Sequence, residues 1–265
     1  MNLEGNDSDR TLKASAERPQ PWYRLTLLES LVVVSIIVIL VSCLLPFVRS
    51  GGHPPRIYVR NQMKEIGLAM HNYESAHLTL PDTAIRDENG KALLSWRVSL
   101  LPYLEHDELF NQFKLDESWD SEHNKKLIPL VPSVYINHFT YFTEGETYKT
   151  NMLLPVSVGL PRSQSTLFAE GRGREMNAIT DDPAETIMLV AARSDLNVTW
   201  TKPGDLPFNP EDPGYGVSSG EKKMFMVLMA DRSVKVPEEK MTPEKLLSLF
   251  TYAGNDHVAE KSAEK

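Results

Sequence analysis

Hydrophobic and polar positions fall into three regimes along the chain. From Leu25 to Val48 (LTLLESLVVVSIIVILVSCLLPFV) nearly every position is apolar, and Ser30 to Val48 is a run of 19 residues without a charge. The one charge in the segment is Glu29, near its start. At a helical rise of about 1.5 Å per residue, roughly 20 residues cross a ~30 Å hydrocarbon core, so the segment predicts a membrane-spanning helix. Pro46 predicts a kink near its far end, because proline removes a backbone hydrogen bond. Ser50-Gly51-Gly52-His53-Pro54-Pro55 then breaks any helix. From Ile57 the regime changes. Val59, Met63, Ile66, Met70 and Tyr73 recur at spacings of three and four, with Arg60, Lys64 and Glu65 off the stripe. That pattern predicts an amphipathic helix ending near Ala76.

Short helices are expected near 95–104, 106–113 and 121–128, the last capped by Asp120 or Ser121. The second half reads differently. Residues 133–143, 147–158 and 164–170 are rich in Val, Tyr, Thr and Phe, are divided by Gly and Pro, and predict strands. Thr186–Ala192 and Lys223–Ala230 predict more deeply buried strands. A final helix, Thr242 to Phe250, has Thr242 as cap and Glu244 in its first turn. The expected organisation is a leader (1–24), an anchor (25–48), one α+β domain (49–256) and a charged tail without fixed structure (257–265).

Composition narrows the function classes. The net charge is −8, and from Arg49 onward 24 Lys and Arg stand against 31 Asp and Glu. An acidic main domain argues against nucleic-acid binding, which needs a basic face to neutralise phosphates. The single cysteine, Cys43, lies inside the apolar segment, so the chain has no internal disulfide and no cysteine metal site. Leu40-Val41-Ser42-Cys43 also has the small-and-aliphatic approach to cysteine that lipid-attaching signal peptidases accept, which makes Cys43 a candidate lipidation site. Against that reading, the apolar run continues past the cysteine to Val48.

Arg24-Leu25-Thr26-Leu27-Leu28-Glu29, followed by LVVVSIIVIL, resembles the prepilin N-terminal cleavage and methylation motif. There a Gly is followed by Phe-Thr-Leu-x-Glu and an apolar helix; Thr26, Leu27 and Glu29 match, and Pro46 falls where many such proteins have a kinking proline. A carboxylate at the top of an apolar helix is costly in lipid. The resemblance implies that Glu29 serves assembly, by meeting a cation such as a neighbouring subunit's free amine. It also implies a processing junction at Arg24–Leu25, a leader in the cytoplasm and a large domain outside the inner (cytoplasmic) membrane. The glycine that the prepilin peptidase requires is Arg24 here, and the Phe is Leu25. Two outcomes therefore stand open: a cleaved pilin, or a retained leader on a single-pass protein. Basic residues do not orient the segment, with Arg10, Lys13, Arg18 and Arg24 before it and Arg49, Arg56, Arg60 and Lys64 after it.

Asn61 to Tyr73, NQMKEIGLAMHNY, is similar to a phrase in the planctomycete-type prepilin-like proteins that carry the domain of unknown function numbered fifteen fifty-nine. Ser95–Glu105, Leu109–Phe113, Asp116–Leu127, Trp200–Phe208 and Met229–Val234 resemble further blocks of that family. In the last block the family has Asp-Gly-Ser-Val. Arg232 in place of that glycine is not expected to enter a φ > 0 turn, so a different turn is expected there. The resemblance implies a pilin-like α+β fold, with the amphipathic helix packed on a mainly antiparallel sheet. It also implies a structural role in a type IV pilus or type II secretion pseudopilus, with the membrane and other pilin-like subunits as partners. The alternative is a tethered extracytoplasmic binding module that does not polymerise.

Motifs of catalysis and metal binding are weak. Gly216-Val217-Ser218-Ser219-Gly220 fits G-x-S-x-G, but a nucleophile elbow needs a strand before it and a helix after it, and here a Pro/Gly loop precedes and a strand follows. Asp116, Glu117, Asp120 and Glu122 lack calcium-loop spacing and read as a solvated loop. His71, His77, His106 and His123 lack zinc spacing, and His71 reads as a helix-face residue beside Tyr73. Gly171-Arg172-Gly173-Arg174 reads as a solvated basic turn. The expectation is a non-enzyme without cofactor or metal.

Overall fold

The computed structural model describes residues 27–49, 55–136, 148–217, 225–237 and 241–254. The chain divides into two units, Met1–Gly52 and His53–Lys265. The first contains α1, Leu27–Arg49, whose assigned span runs past Pro46. Side chains in α1 are described for residues 28–39. Over the described residues, no helix is long and apolar enough to cross a membrane. Arg24 and Leu25, the leader, the joint at 50–54 and the tail at 257–265 lie outside the described residues, as do the side chains of Cys43 and Pro46.

The second unit opens with α2, Pro55–His77. Its stripe is the predicted one: Val59, Met63, Ile66 and Met70 are buried and Tyr73 packs at the edge, while Arg60, Lys64 and Glu65 are exposed. A hairpin of β1 (Ala84–Arg86) and β2 (Ala92–Ser95) follows, then α3 (Trp96–Ser99) and α4 (Asp107–Phe110) with 3-10 turns at Leu101–Leu104 and Asn124–Leu130. The 3-10 turn Asn124–Leu130 stands in place of the helix expected at 121–128, and its N-cap is His123, not Asp120 or Ser121, although the Ser121 hydroxyl accepts from the Asn124 N–H at 3.0 Å. Then come β3 (Lys149–Thr150), β4 (Met152–Leu153), β5 (Pro155–Val156), β6 (Ile187–Ala191), β7 (Val198–Thr199), β8 (Leu206–Pro207), β9 (Met226–Met229), β10 (Val234–Lys235) and α5 (Pro243–Phe250). In α5 the Thr242 hydroxyl caps the Lys245 N–H, as the sequence predicts.

The main sheet has the order β10-β9-β6-β4, and all its pairs are antiparallel. β3 pairs antiparallel with β7, and β5 pairs parallel with β8. On β9, Met226 and Leu228 join the cluster that includes the α2 stripe, while Val227 and Met229 join Leu246, Leu249 and Phe250 of α5. β6 and β9 are thus covered on both faces, which is why they read as continuous apolar runs rather than alternating ones. Gly67 brings α2 against β9: a Cβ there would stand 3.0 Å from Leu228 Cδ1. The architecture is α+β, with an amphipathic helix on a mainly antiparallel sheet.

Several expectations change. Residues 133–135 form a 3-10 turn, not the start of a strand, because Gln62 on α2 donates to the carbonyls of Ser133 and Ile136 at 2.6 and 2.8 Å. Residues 137–143 lie outside the described residues. The stretch 147–158 breaks into three two-residue strands. Residues 164–170 form turns, not a strand. There the Thr166 hydroxyl donates to Pro155 O at 2.8 Å, and the Ser165 hydroxyl donates to Pro161 O at 2.9 Å. Such local side-chain bonds compete with ladder pairing. The Met229–Val234 hairpin keeps its φ > 0 position, and Arg232 occupies it at φ +72.

Leu78 closes α2 in the left-handed region at φ +66, its N–H donating to Glu74 O at 2.6 Å. Its side chain is exposed, so nothing in the core is gained from having a leucine there. A non-glycine residue in this conformation costs about 1–2 kcal/mol. Leu78→Gly is expected to raise the midpoint of chemical unfolding by the equivalent of about 1 kcal/mol. A lowered midpoint would refute the strain.

Candidate functional site

Two features are candidates for function: α1 with Glu29, and a buried charged centre in the second unit. Glu29 sits exposed in the first turn of α1, where the helix dipole favours a carboxylate. From Leu31 to Ile39 every side chain is exposed. All of them are apolar except Ser35, whose hydroxyl donates to Leu31 O at 2.8 Å. Nine consecutive helical residues cover every direction around the axis, so the apolar surface has no polar side to turn to water.

In the second unit, the short turn of α3 places Arg97 inside the core. Its side chain is 0% exposed and that of Asp205 is 4% exposed, so both ions are withdrawn from solvent. Asp205 Oδ1 accepts from Trp96 Nε1 at 3.0 Å, from the Leu154 N–H at 3.0 Å and from Arg97 Nη2 at 3.4 Å. Arg97 also donates to Met152 O at 2.6 Å and to Ser95 Oγ at 2.7 Å, and its own carbonyl accepts from the Tyr135 hydroxyl at 2.9 Å. Its Nε is buried without a partner among the described residues. Trp96 meets the Tyr135 ring edge-on at 6.1 Å, and Tyr135 stacks on Trp200 at 6.1 Å. The centre therefore ties α3 to β4, to the residue after β4, and to the loop before β8.

Burial pushes the Asp205 carboxyl up to about 6, against the opposing pull of Arg97 and the hydrogen bonds that Asp205 accepts. Burial likewise lowers Arg97 and raises the Tyr135 hydroxyl. A carboxyl raised from its ordinary 3.8 to about 6 holds a proton in the folded state that the unfolded chain has lost. Its contribution to stability is thus present below about pH 4 and lost as pH rises through about 6. In unfolding curves from pH 4 to 7, the stability of the wild type relative to Asp205→Asn is expected to fall over that window. Parallel profiles for the two proteins would contradict the assignment.

The predicted acidic loop is held from inside by the buried Asn124, whose Oδ1 accepts from the Lys114 N–H at 3.0 Å and whose Nδ2 donates to Lys114 O at 2.9 Å. Glu117 pairs with Lys114 at 2.8 Å, and Glu122 pairs with Lys125. No group of three metal-binding side chains occurs among the described residues. His71 bonds Ala230 O at 2.8 Å, and His77 stacks on Tyr73 at 4.1 Å while bonding the Tyr103 hydroxyl at 2.9 Å. Gly216 and Val217 are described, and Ser218 is not. The Gly171–Arg174 stretch is not a solvated turn but a strap on residues 80–83, and a Cβ on Gly173 would lie 2.0 Å from Leu80 O. Sequence reasoning missed Arg97 and Asp205. Their signal was an arginine and an aspartate set among tryptophans and leucines, in two blocks far apart in the chain.

Neither a curated protein nor a solved structure matches the chain. The match that exists covers α2, α3, α4 and Arg97, and leaves Glu29, Asp205 and the blocks at 200–208 and 229–234 outside it. Over residues 56–136 the chain matches the family described as Protein of unknown function (DUF1559).

Proposed function

We propose that this is a membrane-anchored, pilin-like structural protein of the cell envelope, with α1 in the cytoplasmic membrane and the second unit on its outer side. The observation that carries this reading is the apolar exposure of α1 on every side. Eight side chains between Leu31 and Ile39 each leave 41–64% of their area open, which only lipid or neighbouring helices would cover. The 19 uncharged residues from Ser30 to Val48 supply the length to span, and the hydroxyl of Ser35 is bonded within the helix, as lipid demands. Glu29 then lies at the head-group level, where a neighbouring subunit's cation would meet it. In this reading Glu29→Ala lowers the yield of cross-linked assemblies from membranes; an unchanged yield removes Glu29 from assembly.

A tether that does not polymerise is favoured by a separate observation. The sequence Ser50-Gly51-Gly52-His53-Pro54-Pro55 between α1 and α2 has two glycines and two prolines, residue types that disfavour one continuous stiff rod. Intact mass of the protein from membranes separates the readings. Loss of residues 1–24 with an added methyl group means a processed pilin. Loss through Ser42 with lipid on Cys43 means a lipoprotein, and full length means a retained anchor.

A further inference from the structure

The strap Gly171–Arg174 serves neither α1 nor the buried centre. Arg174 is fixed by its backbone, its N–H donating to Leu167 O at 3.1 Å and its carbonyl accepting from the Leu80 N–H at 2.9 Å. Its guanidinium lies 5.9 Å from the centroid of the Tyr252 ring. A second guanidinium, that of the exposed Arg162, lies 5.7 Å from the same centroid and donates to Ala178 O at 3.2 Å. Tyr252 is itself tied down: its N–H donates to Ser165 O at 3.3 Å and its carbonyl accepts from the Thr180 N–H at 2.9 Å. The stretch 162–180 and the distant Tyr252 thus meet at one ring that carries two cations.

Arg97, Arg172 and Arg193 each have a carboxylate within 4 Å, whereas Arg162 and Arg174 have none among the described residues. The Arg174 guanidinium makes no hydrogen bond to the described residues, and its Nε is buried without a partner. Asp181, nearby in the chain, accepts from the Gly254 N–H at 2.8 Å. The ring face is a weak counter-charge, worth about 0.5–1 kcal/mol at exposed sites. A guanidinium offers its donors in a planar fork that fits the paired oxygens of a phosphate or carboxylate, and two forks suit a tetrahedral oxyanion with more than two acceptor oxygens.

We propose that Arg162 and Arg174, seated on Tyr252, form a binding site for a phosphate-type oxyanion. Free phosphate and a phospholipid head group share this chemistry. The test uses the full chain in neutral detergent micelles at fixed ionic strength and follows the Arg174 Nε–H resonance. One titration adds inorganic phosphate and the other adds phosphatidylglycerol to the micelles. A saturable shift with inorganic phosphate supports the site and identifies a free ion as sufficient; a shift with phosphatidylglycerol alone supports it and identifies a head group. In either case Arg162→Gln weakens binding about tenfold, the loss of one charge-assisted contact, while Arg193→Gln leaves it unchanged. No shift with either ligand, or equal binding by the Arg162→Gln and wild-type proteins, overturns the proposal. Arg162 is exposed, and a thermal unfolding midpoint of Arg162→Gln equal to that of the wild type lets a lost shift be read as lost binding.

Discussion

Asp205→Ala is expected to cost the second unit about 3–5 kcal/mol, the range for removing one partner of a buried ion pair. The cost arises less from the lost attraction than from what remains. Arg97 would keep its charge with no exposed surface, and its Nε already lacks a partner. Trp96 Nε1 and the Leu154 N–H would lose their acceptor in the same step. Folded domains hold a net 5–15 kcal/mol, so this one change removes a large share. The double variant Asp205→Ala with Arg97→Met is expected to recover part of the loss, since it no longer buries a lone cation. Urea unfolding of the three proteins checks this. A loss under about 1 kcal/mol for Asp205→Ala would mean that the centre is solvated and does not hold the fold.

Gly173→Ala is the second large effect. The added Cβ would sit 2.0 Å from Leu80 O, 2.4 Å from Leu80 C and 2.7 Å from Pro81 O, all of them backbone atoms that cannot rotate away. The strap would have to lift. Lifting it breaks the Leu80 N–H to Arg174 O bond at 2.9 Å, the Gly173 N–H to Asp82 bond at 3.1 Å and the Thr83 N–H to Gly171 O bond at 2.9 Å. Overpacking alone costs about 1–3 kcal/mol and each of the three lost hydrogen bonds about 1 more, so a loss of about 4–6 kcal/mol is expected. The same lift would carry Arg174 off Tyr252. Thermal unfolding is the check, and a variant as stable as the wild type would show that the strap is not seated on residues 80–83.

The elements legible in the sequence were those set by local pattern. The Met63–Met70 stripe, the apolar runs of β6 and β9 and the Thr242 cap depend on neighbours within a few residues, and all three form as expected. What failed was non-local or contrary to residue type. Arg97 and Asp205 stand 108 positions apart, and no periodicity joins them. The Val- and Thr-rich stretches at 133–135 and 164–170 lost their ladder pairing to Gln62 and to their own hydroxyls. Leu78 and Arg232 hold left-handed backbone that their side chains disfavour, so residue type pointed away from the observed turns. Gly171 and Gly173 did carry a signal, since two glycines around an arginine mark close backbone approach as readily as a solvated turn.

The anchoring of α1 is the claim on which the functional reading stands. Alkaline carbonate extraction of membranes containing the full chain tests it most directly. A helix whose apolar side chains lie in lipid on all sides stays in the pellet, and a chain held only by its second unit is stripped. The full chain is expected in the pellet; its recovery in the supernatant would contradict the anchoring of α1.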